Sequence, residues 1–571
     1  MNPSTNLLRF DILSKNRTRF TVREERLRTK RTPIRLIDIQ KGELVKVSNE
    51  PYAILSHVWF QGPQPNHDEM SFGLLNGRSI KTLRVEIQNE EETLKVLPTF
   101  INILESGQAD VTEKVQEQIG KTEIWPAIAE DLGVRDMGLN ELSKSRQAAM
   151  VERLKAREPK LKADPRVDMG LAKVEGALQV AQEGGYKYLW VDTCCIDKSN
   201  STEMMESIAC MGEWYANAEV CLIYIEDTLS TLFPVTGDGG YSWSSRGWTL
   251  QEIAMCKKAF FYNQRWQRIN HSLEDLDPNV TENQRILEDI AKVSRVPGQL
   301  VCKEGKVRLP ASYVLHYAGM RQCTREEDRA YSLMGILKIK IPILYGEGQQ
   351  SAIGRLIDEI LRSKSDVSVF HWVGMNYGCR LPGKSMYPVS LDAYRLKGSE
   401  KQRKHIEPVT ISNAGVESLF EILQFRPIFP PVDYPGGLLG LLDKIGGKHP
   451  NIDCTIRFRI EYLRSIDDDK AETDTTGLDR FVVCCPLPVL RRQVRYAQNR
   501  KEWKAEHPES LTGSWVLVRL ASTASPRWFL CMLGFAQGKQ TGYVGLRLPA
   551  IVPSIKPPTI HPDHIINIRI S

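Results

Sequence analysis

No apolar run in the chain approaches the roughly 18 residues that a membrane-spanning helix needs. Residues 1–20 also lack the continuous apolar core of a secretory signal, so an intracellular, cytoplasmic protein is expected. Charge of one sign is scarce: 76 Lys+Arg against 70 Asp+Glu leave only +6 over 571 residues. That balance excludes a protein held to nucleic acid or a membrane surface by bulk electrostatics. Only residues 1–35 depart from it, with basic side chains set against Asp11, Glu24 and Glu25. There are 12 cysteines and two adjacent pairs, Cys194-Cys195 and Cys484-Cys485, but no Cys-x-x-Cys, which argues against a disulfide framework or a zinc ribbon, and no metal site is expected. Several cysteines lie within apolar runs such as Val220–Ile225, a setting that suits buried, reduced thiols. The phosphate-binding pattern Gly-x-x-x-x-Gly-Lys-Ser/Thr is missing, and Gly346-Glu347-Gly348 lacks both a third glycine and a preceding strand. Neither a P-loop ATPase nor a Rossmann dehydrogenase fits.

What is present is a composition able to build sizeable cores, with 42% hydrophobic, 26% charged and 8% aromatic residues. At about 150 residues per domain this length predicts several structural units. Residues 1–33 read as a basic N-terminal arm. Ile34–Asp38 and Tyr52–Trp59 read as strands, because β-branched and aromatic residues cluster between turn signals. Residues 81–181 turn to Glu, Lys, Gln, Leu and Ala, with Leu94, Leu97, Phe100 and Leu104 at helical spacing, and read as a helical insertion. Strand patterns return at Tyr188–Asp192, Val220–Ile225 and Ala259–Tyr262. A helix over Thr202–Ala218 separates the first two, and a helix capped by Ser245 follows the Gly237, Gly239, Gly240 loop. Strands alternating with helices predict an α/β unit over 34–270 with a mainly parallel sheet flanked by helices. Residues 271–366 read as a helical extension. Short β-like runs from 367 to 571, among them Val409–Ile411, Cys454–Phe458, Phe481–Cys484, Ser514–Val518 and Trp528–Leu530, predict a β-rich C-terminal domain.

Five blocks in order resemble the fungal heterokaryon-incompatibility (HET) domain and the segments that commonly follow it. They are Tyr52-Ala53-Ile54-Leu55-Ser56-His57-Val58-Trp59, Tyr188–Asp197 (YLWVDTCCID), Ser245–Glu252 (SRGWTLQE), Glu327–Gly335 (EDRAYSLMG) and Leu344–Gly348 (LYGEG). The resemblance spans roughly Arg35 to Trp372. Two positions depart from the family pattern: Phe60 where Gly usually follows the Trp, and Lys198 where Gln usually follows the Asp. The resemblance implies a role in non-self recognition and regulated cell death, through self-association or an incompatibility partner protein. It also implies a distant likeness to Toll/interleukin-receptor (TIR) domains, some of which hydrolyse NAD with a Glu placed four residues after a Trp. Trp248 and Glu252 stand in that relation here.

Residues i and i+4 of one helix share a face. Breaking a nicotinamide–ribose bond builds oxocarbenium character that one carboxylate can stabilise. Glu252 is therefore the candidate catalytic residue, with Ser56, Asp192, Arg246 and Trp248 as candidate ligand-binding residues and NAD or a related nucleotide as the substrate. Nothing in the pattern calls for a bound cofactor. The same residues also fit a structural reading, with Trp248 in a core, Glu252 a capping or solvated carboxylate and Arg246 in an ion pair. Asp192 and Asp197 fit ribose binding or turn capping. Ser56-His57 and Cys194-Cys195 allow a third arrangement, a cysteine nucleophile with a histidine base. A non-enzymatic, self-associating signalling or scaffold domain is the competing function.

Overall fold

A computed structural model describes residues 32–59, 70–88, 98, 101–102, 105, 148, 151–152, 165–233, 241–273, 281–296, 309–372, 387–394, 409–412, 415–429, 431–448, 453–463, 471–472, 481–498, 515–521, 527–536, 542–547, 550–551 and 565–570. The basic arm up to residue 31, most of the insertion, including Leu94, Leu97, Phe100 and Leu104, and the Gly237–Gly240 loop lie outside the described residues. The chain forms two compact units, one of residues 1–233 and 256–274, the other of residues 234–255 and 275–571.

The first unit is an α/β structure around a seven-stranded sheet. Its strands are β1 (Leu36–Asp38), β2 (Glu43–Val45), β3 (Ala53–Ser56), β4 (Tyr188–Trp190), β5 (Val220–Tyr224), β6 (Ala259–Tyr262) and β7 (Arg268–Leu273), in the spatial order β2-β1-β4-β3-β5-β6-β7. The pairs β4–β3, β3–β5 and β5–β6 are parallel, and antiparallel strands close both edges. Every residue of β3, β4 and β5 is buried, as expected of parallel strands covered on both faces. The helix Pro165–Glu183 turns Leu171, Val174, Ala177, Leu178 and Ala181 inward and packs on β4. The helix Ser201–Asn217, capped by the Asn200 side chain on the Thr202 and Glu203 amides, buries Ile208, Met211, Trp214 and Tyr215. Trp190 meets Trp214 and Tyr215 edge to face at 5.6 and 6.0 Å, which makes all three core residues. Tyr52 and Tyr215 donate to the carbonyls of Trp214 and Leu55, tying this helix to β3.

Two strands are shorter than the sequence suggests. The first stops at Ser56, because the Lys173 ammonium takes the Val58 carbonyl at 3.0 Å while His57 and Trp59 turn toward Asp192. The other stops at Trp190, where the amides of Cys194 and Cys195 bond the Val191 carbonyl and start a helical turn at Asp192. The edge strands β2 and β7 escape sequence reading because they are short or polar.

The second unit joins a helical part to a second sheet. Its longer helices are Gly247–Met255, Thr281–Ser294, Ala311–Gly319 and Gly348–Lys364. Ser245 does not cap the Gly247–Met255 helix: it ends the short helix Ser242–Ser245, its hydroxyl bonded to the Ser242 carbonyl. The later strands are β8 (Thr410–Ser412), β9 (Gly415–Ile428), β10 (Asp453–Leu463), β11 (Ala471–Glu472), β12 (Phe481–Pro486), β13 (Trp515–Ala521), β14 (Arg527–Ala536), β15 (Gly542–Arg547), β16 (Ala550–Ile551) and β17 (Ile565–Ile570). The 14-residue β9 pairs in turn with β17, β13 and β10. The pairings β9–β13–β14–β15–β17–β9 close on themselves, and closure leaves those strands no free edge. All pairings in this sheet are antiparallel except β15–β17. Two helices, Gly437–Lys448 and Leu487–Gln498, lie in this β-rich part without having been expected from sequence.

The end of the helix Ala311–Gly319 depends on a close approach: a Cβ at Gly319 would lie 2.5 Å from the Leu391 carbonyl oxygen. Backbone cannot yield as a side-chain tip does, so Gly319→Ala is expected to destabilise the protein by about 1–3 kcal/mol, measured by urea denaturation.

Candidate functional site

Parallel pairing sets the ends of β3 and β4 side by side, with Ala53 opposite Leu189 and Ile54 opposite Trp190. The chain leaves β3 as His57-Val58-Trp59 and leaves β4 into the turn Asp192–Cys195, so one carboxylate meets two ring nitrogens. His57 Nε2 lies 2.8 Å from Asp192 Oδ1, and Trp59 Nε1 donates to Asp192 Oδ2 at 2.8 Å. The Lys198 ammonium sits 3.6 Å above the Trp59 ring in a cation–π contact. Burial alone would raise the Asp192 carboxyl, but His57, Lys198 and the Trp59 indole outweigh it and hold the group well below the usual carboxylate range. Asp192 is therefore ionised, and His57 Nε2 is the donor in their bond. The imidazole is almost fully enclosed, with 2% of its side chain exposed, and Nδ1 has no hydrogen-bond partner among the described residues. Asp192 keeps 21% of its side chain exposed.

Supporting contacts fix this cluster. Arg35 binds Glu203 through both guanidinium nitrogens, Nη2 at 2.7 Å, and Glu203 Oε1 accepts the Asp197 amide at 2.9 Å. Asp197 caps its own turn, taking the Ser199 amide and hydroxyl, and this holds Lys198 in place. Ser56 is fully buried at the end of β3. The cysteine–histidine arrangement gains a carboxylate to orient His57, yet its thiols are unsuited to attack. Burial pushes Cys195 up to about 12, and Cys194 donates to the Met70 carbonyl. Neither Cys194 nor Cys195 is in a disulfide.

Arg246, Trp248 and Glu252 belong to the second unit. Trp248 Nε1 donates to Asp328 Oδ2 at 3.2 Å, Tyr345 donates to Oδ1 at 2.8 Å, and the Arg325 guanidinium stacks 4.2 Å over the Tyr345 ring. Gln251 accepts the Gly335 amide, and Glu327 accepts the amides of Gly346 and Gly348, both at positive φ. The last three sequence blocks thus bond to one another, as the first two do in the other unit. Glu252 shares the helix of Trp248 but is 7% exposed. Its charge acts on Arg321, which burial pushes down to about 9 against the opposing effect of Glu252. Arg321 is 1% exposed and donates to the Arg246 and Ser294 carbonyls and the Thr249 hydroxyl. The Arg246 backbone therefore has a structural task here, and the charge of Glu252 favours the ionised form of the buried guanidinium.

Sequence reading missed Trp59, Lys198, Arg321, Asp328 and Tyr345 as functional candidates. Trp59 and Lys198 bordered recognised blocks, but no spacing rule joins residues so far apart in the chain. Among the described residues no group of His, Cys, Asp or Glu could hold a metal ion, and no helix is long and apolar enough to cross a membrane.

The first unit is thus a doubly wound α/β structure with a carboxylate–imidazole–indole cluster at its strand ends. Residues 143–235, which include the Asp192 turn, match the heterokaryon incompatibility protein (HET) family. The chain is 36% identical over 201 residues to vegetative incompatibility protein HET-E-1 of Podospora anserina, a match covering 34% of this chain and 14% of that relative. No solved structure matches the chain.

Two outcomes follow from the geometry. Glu252→Gln removes a buried charge that favours ionised Arg321 and is expected to lower stability by about 1–3 kcal/mol in chemical denaturation. Asp192→Asn is expected to lower stability by about 2 kcal/mol at neutral pH. Because the folded-state pKa of Asp192 is depressed, its contribution is present above the ordinary carboxylate value near ~4 and is lost as pH falls toward the folded value. The gap between wild type and variant in melting experiments should therefore close on acidification.

Proposed function

We propose that this chain acts in heterokaryon incompatibility as a regulated cell-death signalling protein in the cytoplasm, and that it cleaves NAD at the nicotinamide–ribose bond. The match of residues 143–235 to the HET family carries the signalling role. The name of the Podospora anserina relative, a vegetative incompatibility protein, supports it. The TIR likeness implied by Trp248 and Glu252 supports the chemistry. The C–N bond breaks, nicotinamide leaves as a neutral base, and water supplies hydroxide to the ribose carbon and releases a proton. A carboxylate stabilises the oxocarbenium character on the way, and no general acid is required. Ser56 and Asp192 are the proposed ligand-binding residues of the first unit; Arg246 and Trp248 are proposed for the second unit by itself.

One observation favours the non-enzymatic reading, a self-associating signalling domain: Glu252 is buried, and its charge acts on the enclosed Arg321 guanidinium. Nicotinamide release by purified protein across a concentration series, with Glu252→Gln as the matched variant, separates the two. Turnover by wild type, lost in a variant that circular dichroism shows to be folded, supports the hydrolase. Absence of turnover at concentrations where size-exclusion chromatography shows assembly selects the scaffold.

A further inference from the structure

Asp192 is an anion with spare capacity. Each of its oxygens accepts one hydrogen bond, from His57 and from Trp59, so each keeps a second acceptor position. The Asp192 side chain is 21% exposed, so the carboxylate is not sealed from solvent. A rigid carboxylate of this kind recognises paired donors such as vicinal hydroxyls. A cationic donor group would fit the carboxylate but is disfavoured by the Lys198 ammonium held over Trp59. A ligand offering hydroxyls to Asp192 and an anionic group to Lys198 is complementary to both side chains. The location agrees: ligands of open α/β sheets bind beyond the carboxyl ends of the strands, near where the chain order reverses. Here the chain steps from β3 to β4 on one side and returns to β5 on the other.

We propose that His57, Trp59, Asp192 and Lys198 form a binding site for a ribose carrying a phosphate ester, the diol on Asp192 and the phosphate on Lys198. This deepens the nucleotide-ligand reading above and rests on it, but it uses only first-unit residues and needs no cleavage. His57 and Trp59 hold the carboxylate in position, and the Arg35–Glu203–Asp197 contacts hold Lys198.

The test uses AMP, which carries the ribose and phosphate but no nicotinamide, titrated calorimetrically into the full chain. Loss of the diol in 2′,3′-dideoxy-AMP, the exposed substitution Lys198→Met, and Asp192→Asn should each weaken binding by about tenfold, the effect of one charge-assisted hydrogen bond. Lys292→Met, an exposed charge change elsewhere, should leave it unchanged. No AMP binding by wild type at millimolar concentration overturns the proposal, as does binding indifferent to both the diol and Lys198→Met. AMP binding of the expected pattern without nicotinamide release would sink only the hydrolase reading. Release without dependence on Lys198 or Asp192 would sink only this site.

Discussion

Four residues, Ala53 to Ser56, have apolar cover on both faces and parallel neighbours on both sides, and the first unit is organised around them. A strand in that position can carry no polar side chain along its length that the sheet does not satisfy. Chemistry is therefore displaced to its carboxyl end, where the backbone escapes the ladder. Lys173 takes the carbonyl of Val58 and so ends the strand. Once the chain leaves the sheet, His57 and Trp59 converge on the neighbouring strand's Asp192. The strongly ionised carboxylate follows from this geometry, since charge and hydrogen bonds outweigh its burial.

The second unit meets a different constraint, the burial of a guanidinium. Arg321 donates from both terminal guanidinium nitrogens to main-chain carbonyls and a threonine hydroxyl, and the charge of Glu252 favours its ionised form. Burying a charge is tolerated only with such provision. Much of the Ser245–Glu252 block is explained by it: Arg246 lends its carbonyl, Thr249 its hydroxyl, Glu252 its charge. Trp248 stands apart, bonded to Asp328 beside Tyr345. One motif thus carries both structural support and a partly exposed aromatic group.

The central strands were legible because parallel strands buried on two faces must be apolar throughout. The helix over Ser201–Asn217 was legible because its buried residues recur at helical spacing. The long β9 was not, since it pairs with different partners along its length and alternates with none of them consistently. The helices Gly437–Lys448 and Leu487–Gln498 were hidden within a stretch dominated by β-forming residues.

For the candidate site, the residues of SHVW, VDTCC and RGWTLQE identify a family and name Ser56, Asp192, Arg246, Trp248 and Glu252 before any fold is known. Their partners came only from the tertiary structure. Asp192 lies 135 residues from His57 along the chain, and Trp248 lies 80 from Asp328. Local sequence encodes apolar periodicity and turn chemistry, because those depend on neighbours within a few residues. Whether a carboxylate faces a ligand or a buried arginine depends on which strand ends and helix faces the fold sets together, and that information is not local.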